Sequence, residues 1–197
     1  MATPGHEFDD IVDGRASGVI NAGAGGGGGG GGANLSNFDA EKAENDEADC
    51  LNPFIEMQFA VMCMEKAETH FKLITSMRAS TLPRLTKWDA SILSTFLTDF
   101  PDLANDVDKL RNLDEERDLK SPAMKKRWRE FMMKFEKEID EYNFGTLIRA
   151  NCEDDYTQAN SMFGYRLQFY AIEIQRNKLG LNDSVYEQVQ KDPKRFD

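Results

Sequence analysis

The chain is short of the residues that most catalysis and metal binding need. Its 197 residues include two histidines and three cysteines, Cys50, Cys63 and Cys152, far apart and never arranged as Cys-x-x-Cys. An odd, scattered set of thiols excludes a disulfide framework and fits reduced cysteines in cytosol or nucleus. Zinc needs three or four ligands at short spacings. His70 follows Cys63 by seven positions on one helical face, and neither Cys152 nor another histidine is placed to complete such a set. No metal or other cofactor is therefore expected, and His70 reads as a packed or hydrogen-bonded core residue. There is no Gly-x-Ser-x-Gly nucleophile elbow and no glycine cluster followed by Gly-Lys-Ser/Thr. No apolar run approaches the roughly 18 residues of a membrane span, and no basic start with an apolar stretch marks a leader. The expectation is a monomeric, cytoplasmic protein, with the nucleus open to it, that does not bind membranes and is not an enzyme.

Charge is distributed unevenly. Residues 1–50 carry ten acidic side chains against Arg15 and Lys42, which is −8 of the net −11. They also hold the uninterrupted run Gly25 to Gly32. Such a segment cannot bury enough apolar surface to offset its chain entropy, so a disordered acidic, Gly-rich tail is expected over 1–50. Gly23 to Gly28 meets a Gly-x-Gly-x-x-Gly pattern only because nearly every position there is glycine, with no strand before it and no helix after. A folded domain is expected over 51–190, with a flexible end at 191–197.

Within that domain the apolar period is mostly helical. Asn52-Pro53 reads as cap and first residue of a long helix through Phe59, Cys63, Ala67, His70, Phe71 and Ile74. Thr86 and Asp89 form a capping box for a second, carrying Ile92, Leu93 and Phe96 and stopped by Pro101. Leu103, Val107, Leu110 and Leu113 suggest a shorter piece. Ser121-Pro122 opens a helix whose stripe runs through Trp128, Phe131, Phe135 and Ile139 to Tyr142, with Gly145 as its left-handed cap. Thr146 to Arg149 reads as a short extended link. Phe163, Leu167, Tyr170, Ala171 and Ile174 then return to helical spacing until Gly180, and Asn182-Asp183 caps a last short helix. The fold class is mainly α, an irregular helical bundle with room for one short strand pair.

Four groups invite a functional reading. Asp106-Val107-Asp108 spells the Asp-x-Asp of many sugar-nucleotide transferases, but no parallel-strand pattern surrounds it, which favours a solvated acidic face. Glu153-Asp154-Asp155 reads as a loop supplying charge to the N-terminus of the next helix. In Lys125-Lys126-Arg127-Trp128-Arg129, Trp128 belongs to the core stripe, leaving Lys125, Lys126 and Arg129 to project outward near a helix start, where basic charge opposes the dipole. These three read either as a solvated face or as a docking face for an acidic protein; nucleic acid fits less well, because it needs a wider basic surface with aromatics between the charges. Arg149, Arg166, Glu173, Arg176 and Asn177 sit among apolar neighbours and must find partners. Either Glu173 pairs with one of these arginines internally, or an arginine reaches a groove lip and meets a partner.

Tyr142-Asn143-Phe144-Gly145-Thr146-Leu147-Ile148-Arg149, then Arg166-Leu167-Gln168-Phe169-Tyr170-Ala171-Ile172-Glu173-Ile174-Gln175-Arg176-Asn177, resemble the polysaccharide-biosynthesis-domain-containing family. Glu56-Met57, Ala67-Glu68, Leu73-Ile74, Leu85-Thr86-Lys87, Lys125, Trp128-Arg129 and Phe131 extend the likeness in order, over about residues 54 to 189. Gly164-Tyr165 stands where the family has Ala-Pro, and Gln175 where it has Ala. The resemblance implies a non-enzymatic chaperone for newly made translation elongation factor 1-alpha, engaging its GTPase domain at or near the ribosome. The family's name suggests instead a polysaccharide-biosynthesis enzyme or a methyltransferase, and a generic interaction module is a third reading. An α/β sheet with a ligand-sized cleft near Asp106 would favour an enzyme; a helical body with an exposed groove would favour the chaperone.

Overall fold

Pro53, whose fixed φ suits a first helical position, starts α1 (Pro53–Ser76). Phe59, Cys63, Ala67, His70, Phe71 and Ile74 form its buried stripe, as their spacing predicts. The computed structural model describes residues 53–196; Asn52 and the expected tail over 1–50 lie outside them. A 3-10 turn follows at Ala79–Thr81. The Asp89 carboxylate then accepts the N–H groups of Leu85 and Thr86, both at 2.8 Å, while Thr86 Oγ1 accepts that of Trp88 at 3.1 Å. These bonds fix the turn that leads into α2 (Asp89–Asp99), whose N-cap, Trp88, makes no side-chain capping bond of its own. Pro101 ends it, and the chain continues through α3 (Pro101–Ala104), α4 (Val107–Arg111) and a π-type turn over Glu115–Lys120.

Helix α5 (Pro122–Met133) brings Trp128 onto Phe100, with ring centroids 4.0 Å apart, and its indole N–H reaches the Asp118 carbonyl at 2.9 Å. The helix stops at Met133 instead of running to Tyr142. Residues 134–143 are tightly wound turns that keep Phe135 and Ile139 inside, and Glu141, at φ 53°, takes the backbone out of helical geometry. Gly145 is therefore no helix cap. It begins β1 (Gly145–Arg149), and a Cβ there would run into the rings of Phe59 and Phe163.

Strand β1 pairs antiparallel with β2 (Ser161–Tyr165), Leu147 opposite Phe163. Phe163 thus belongs to a strand, not to the following helix, because α6 (Arg166–Lys178) begins only after Tyr165. Every residue of α6 from Arg166 to Asn177 is buried, with α2, α4, α5 and both strands packed against it. Gly180, at φ 69°, supplies the left-handed turn out of α6. Then comes α7 (Asp183–Lys191), and Asp183 accepts the Ser80 N–H at 2.8 Å. In the end expected to be flexible, Phe196 packs edge-on against Phe71 at 5.1 Å. The architecture is mainly helical, with one small two-stranded sheet among the described residues.

Candidate functional site

The arginines singled out in the sequence converge on one carboxylate. Glu173, on α6, has no exposed surface, nor do His70 on α1, Arg149 on β1 and Arg176 on α6. Arg149 Nη2 donates to Glu173 Oε2 at 3.3 Å and to Asn182 Oδ1 at 2.6 Å, and its Nη1 donates to the Cys152 carbonyl at 2.7 Å. Arg176 Nη1 donates to Glu173 Oε1 at 2.8 Å and to the Arg149 carbonyl at 3.0 Å; Nε reaches the Leu110 carbonyl at 2.8 Å and Nη2 that of Ala150 at 3.0 Å. Asn182 Nδ2 donates to Glu173 Oε2 at 2.7 Å and to Asn177 Oδ1 at 2.6 Å. Burial alone would raise the Glu173 carboxyl, but the charges of Arg149 and Arg176 reverse that and hold it well below the usual carboxylate range.

His70 closes the network from the opposite side. Its Nδ1 lies 2.9 Å from Tyr156 Oη, its Nε2 3.7 Å from Glu173 Oε2, and its ring stands edge-on to Phe169 at 4.9 Å. Burial lowers it to about 4, against the pull of Glu173, so it is neutral at pH 7. Apart from Arg149 Nε, a buried donor that no acceptor meets, the guanidinium donors are spent on Glu173, Asn182 and backbone carbonyls. Arg149 and Arg176 are accordingly not at a groove lip, where a direct partner contact would need them. Arg166 is also buried, 3.1 Å from Glu141 and over the Phe144 ring at 5.7 Å.

One open groove among the described residues lies between α5, the π-type turn and β2. Leu119, Trp128, Met132, Phe163 and Tyr165 give it an apolar floor and wall, and Lys120, Lys125 and Arg129 form a basic rim around a cavity of about 60 Å³. Lys126 stands beside it on the outer face of α5, with an 80% exposed side chain 4.0 Å from Glu130. The basic run divides by helical position. Arg127 turns the other way, to the Asp99 carbonyl at 2.7 Å and Asp102 at 3.1 Å, while Trp128 enters the core. Gly164 is needed at the groove's base, since a Cβ would meet Ile148 Cδ1 at 2.6 Å. Gln168 Oε1 accepts the Tyr165 N–H at 2.8 Å and fixes the turn from strand to helix.

Spacing along α5 points to Lys125, Lys126 and Arg129, but not to Lys120, which joins them from the π-type turn before α5, or to Phe163 and Tyr165, which join them through the sheet. Also unforeseen is an apolar stripe on the outer face of α1, Met57, Val61 and Met64, at 59%, 50% and 42% exposure. Asp106 is the N-cap of α4, accepting the Lys109 N–H at 3.0 Å. Glu153, Asp154 and Asp155 do lie in a loop, but β2 follows it, so they charge no helix terminus. The Cys63 thiol donates to the Gly145 carbonyl at 3.4 Å, and burial pushes it up to about 11, against the effect of Lys66. Among the described residues no helix is long and apolar enough to cross a membrane.

Comparison with known proteins places this geometry in a family. The profile of the family described as PBDC1 protein matches residues 55–187. The PBDC1 homolog of Saccharomyces cerevisiae is 47% identical over 154 residues, covering 78% of this chain and 99% of that protein. Protein PBDC1 of Homo sapiens is 42% identical over 158 residues, 80% of this chain and 62% of the human protein. A solution NMR structure of a Saccharomyces cerevisiae protein, 47% identical, superposes with a TM-score of 0.64 over 73% of this chain and 97% of that one.

Proposed function

The chain belongs to the PBDC1 protein family, and from that premise we propose that it is a non-enzymatic folding chaperone for elongation factor 1-alpha in the cytoplasm, engaging the GTPase domain of that factor as it folds. The resemblance described above supplies the client. The groove supplies the means: an apolar slot bounded by Lys120, Lys125 and Arg129 takes an exposed apolar segment with acidic neighbours. That groove is the observation on which the reading rests. The basic rim speeds encounter and selects acidic partners, whereas the floor provides the desolvated contact.

Reversing Lys125, Lys126 and Arg129 together to Glu tests the assignment. Capture of elongation factor 1-alpha in a translation extract should weaken and lose much of its salt sensitivity, while the melting temperature holds level or rises because the new charges suit the start of α5. Unchanged capture removes these residues from the docking face. The client reading itself fails if elongation factor 1-alpha is not enriched over other newly made chains, or if the purified protein turns over a sugar nucleotide or a methyl donor.

A further inference from the structure

We propose that the same groove has an occupant within its own chain: the acidic segment Phe38–Asp49, with Phe38 seated over the Trp128 and Met132 floor and its carboxylates on the basic rim. An apolar slot edged by Lys120, Lys125 and Arg129, with Lys126 beside it, takes an aromatic side chain flanked by carboxylates. The chain carries that pattern. Phe38 is the one aromatic between Phe8 and Phe54, and Asp39, Glu41, Glu44, Asp46, Glu47 and Asp49 follow it against a single base, Lys42.

Geometry brings the two together. Phe163, a wall of the groove, has its ring 5.8 Å from that of Phe59 on α1. Six residues of helix, about 9 Å at 1.5 Å each, separate Phe59 from Pro53, so the chain reaches the described domain within about 20 Å of the groove. Fifteen residues lead from Phe38 to Pro53. A coil of fifteen residues spans about 20 Å on average, and effective concentration peaks when the mean span of a linker matches its gap. The more distant Phe8-Asp9-Asp10 must cross the run Gly25 to Gly32 from three times the separation and competes poorly. The apolar stripe Met57, Val61 and Met64 is also within reach, but the acidic Glu65 and Glu68 are exposed on the same helix and offer carboxylates no complement.

The segment is thus a tethered competitor that screens the groove against weak acidic partners and yields to a stronger one. This occupancy goes beyond the client reading and is measured on the protein alone, so either can fail without the other. A nitroxide is placed in the full chain by Ala40→Cys with Cys50→Ser; Cys63 and Cys152, 3% and 0% exposed, stay unlabelled. Amide resonances of Lys125, Arg129, Phe163 and Gly164 should lose most of their intensity. They should recover in about 0.5 M salt, which screens charge pairs, and on adding Phe38→Ser with Asp39→Asn and Glu41→Gln. Broadening spread evenly over the domain, or centred on Met57 to Met64, overturns the proposal. So does broadening passed in a mixed sample to an isotope-labelled chain without nitroxide, because the occupant is then a second copy.

Discussion

Replacing Glu173 by Gln should be among the most damaging near-isosteric changes in this protein. The side chain keeps its shape, so lost packing cannot account for the effect. What changes is charge and polarity: the Nε2 group that replaces one carboxylate oxygen is a donor, facing donors from Arg149, Arg176 or Asn182 at the present 2.7–3.3 Å separations around the carboxylate. Two guanidinium groups with no exposed surface then share no counter-charge. Breaking a buried pair from one side costs about 3–5 kcal/mol, and here both arginines lose the same partner, which argues for the upper part of that range. Against a total stability of about 5–15 kcal/mol for a domain of this kind, the variant should be barely folded. Urea denaturation followed by tryptophan fluorescence should show the midpoint falling by about 2 M, taking a slope near 2 kcal/mol per M. A loss under about 1 kcal/mol would refute the reasoning, since the arginines would then have found water or other acceptors.

Acid should destabilise the native state. His70 is held at about 4 against an ordinary 6.5, so the native state favours the neutral ring; its contribution is complete above the ordinary value and is lost as pH falls from there towards 4. Linkage gives a loss of about 2 kcal/mol between pH 7.5 and pH 5, and Glu173, also held low, adds to it only below its ordinary range. Urea melts at the two pH values measure this, and stability that is flat or rises on acidification contradicts it. Trp128→Ala and Phe135→Ala, at 1% and 3% exposed positions, should each cost about 3–5 kcal/mol; effects below about 0.5 kcal/mol would place them at the surface. Gly145→Ala should cost about 1–3 kcal/mol by pushing against Phe59 and Phe163, and an unchanged thermal midpoint would mean that the two rings move aside freely.

Much of the fold is legible along the chain because period 3.6 is a local property. The stripe of α1 and the burial of Trp128, Phe131, Phe135 and Ile139 follow from it. The same periodicity hides the end of α5. The turns after Met133 keep Phe135 and Ile139 at helical positions, and nothing about Glu141 announces a positive φ. Phe163 misleads similarly: four residues before Leu167 it fits a helix, and only pairing with Leu147 makes it a strand residue. For the polar network the members are readable but their directions are not. Whether Arg149 faces in or out depends on Glu173, which is 24 positions away, and on the sheet that turns it. Half the groove was hidden for the same reason, since Lys125 and Arg129 share a helix face whereas Phe163 and Tyr165 arrive through tertiary pairing.

The central place of α6 sets an order of assembly. The single guanidinium of Arg176 binds carbonyls at Leu110, Arg149 and Ala150, all made earlier in synthesis. Helices α2, α4 and α5 likewise pack on a segment that follows them. At about 5–20 residues per second, the chain from α1 through β2 must wait several seconds for its own interior, with closure postponed until Arg166–Asn177 is available. Folding of this domain is therefore loaded towards its last third. Amide protons of α6 should exchange only through global opening, and a chain stopped before Arg166 should hold helices without a native core.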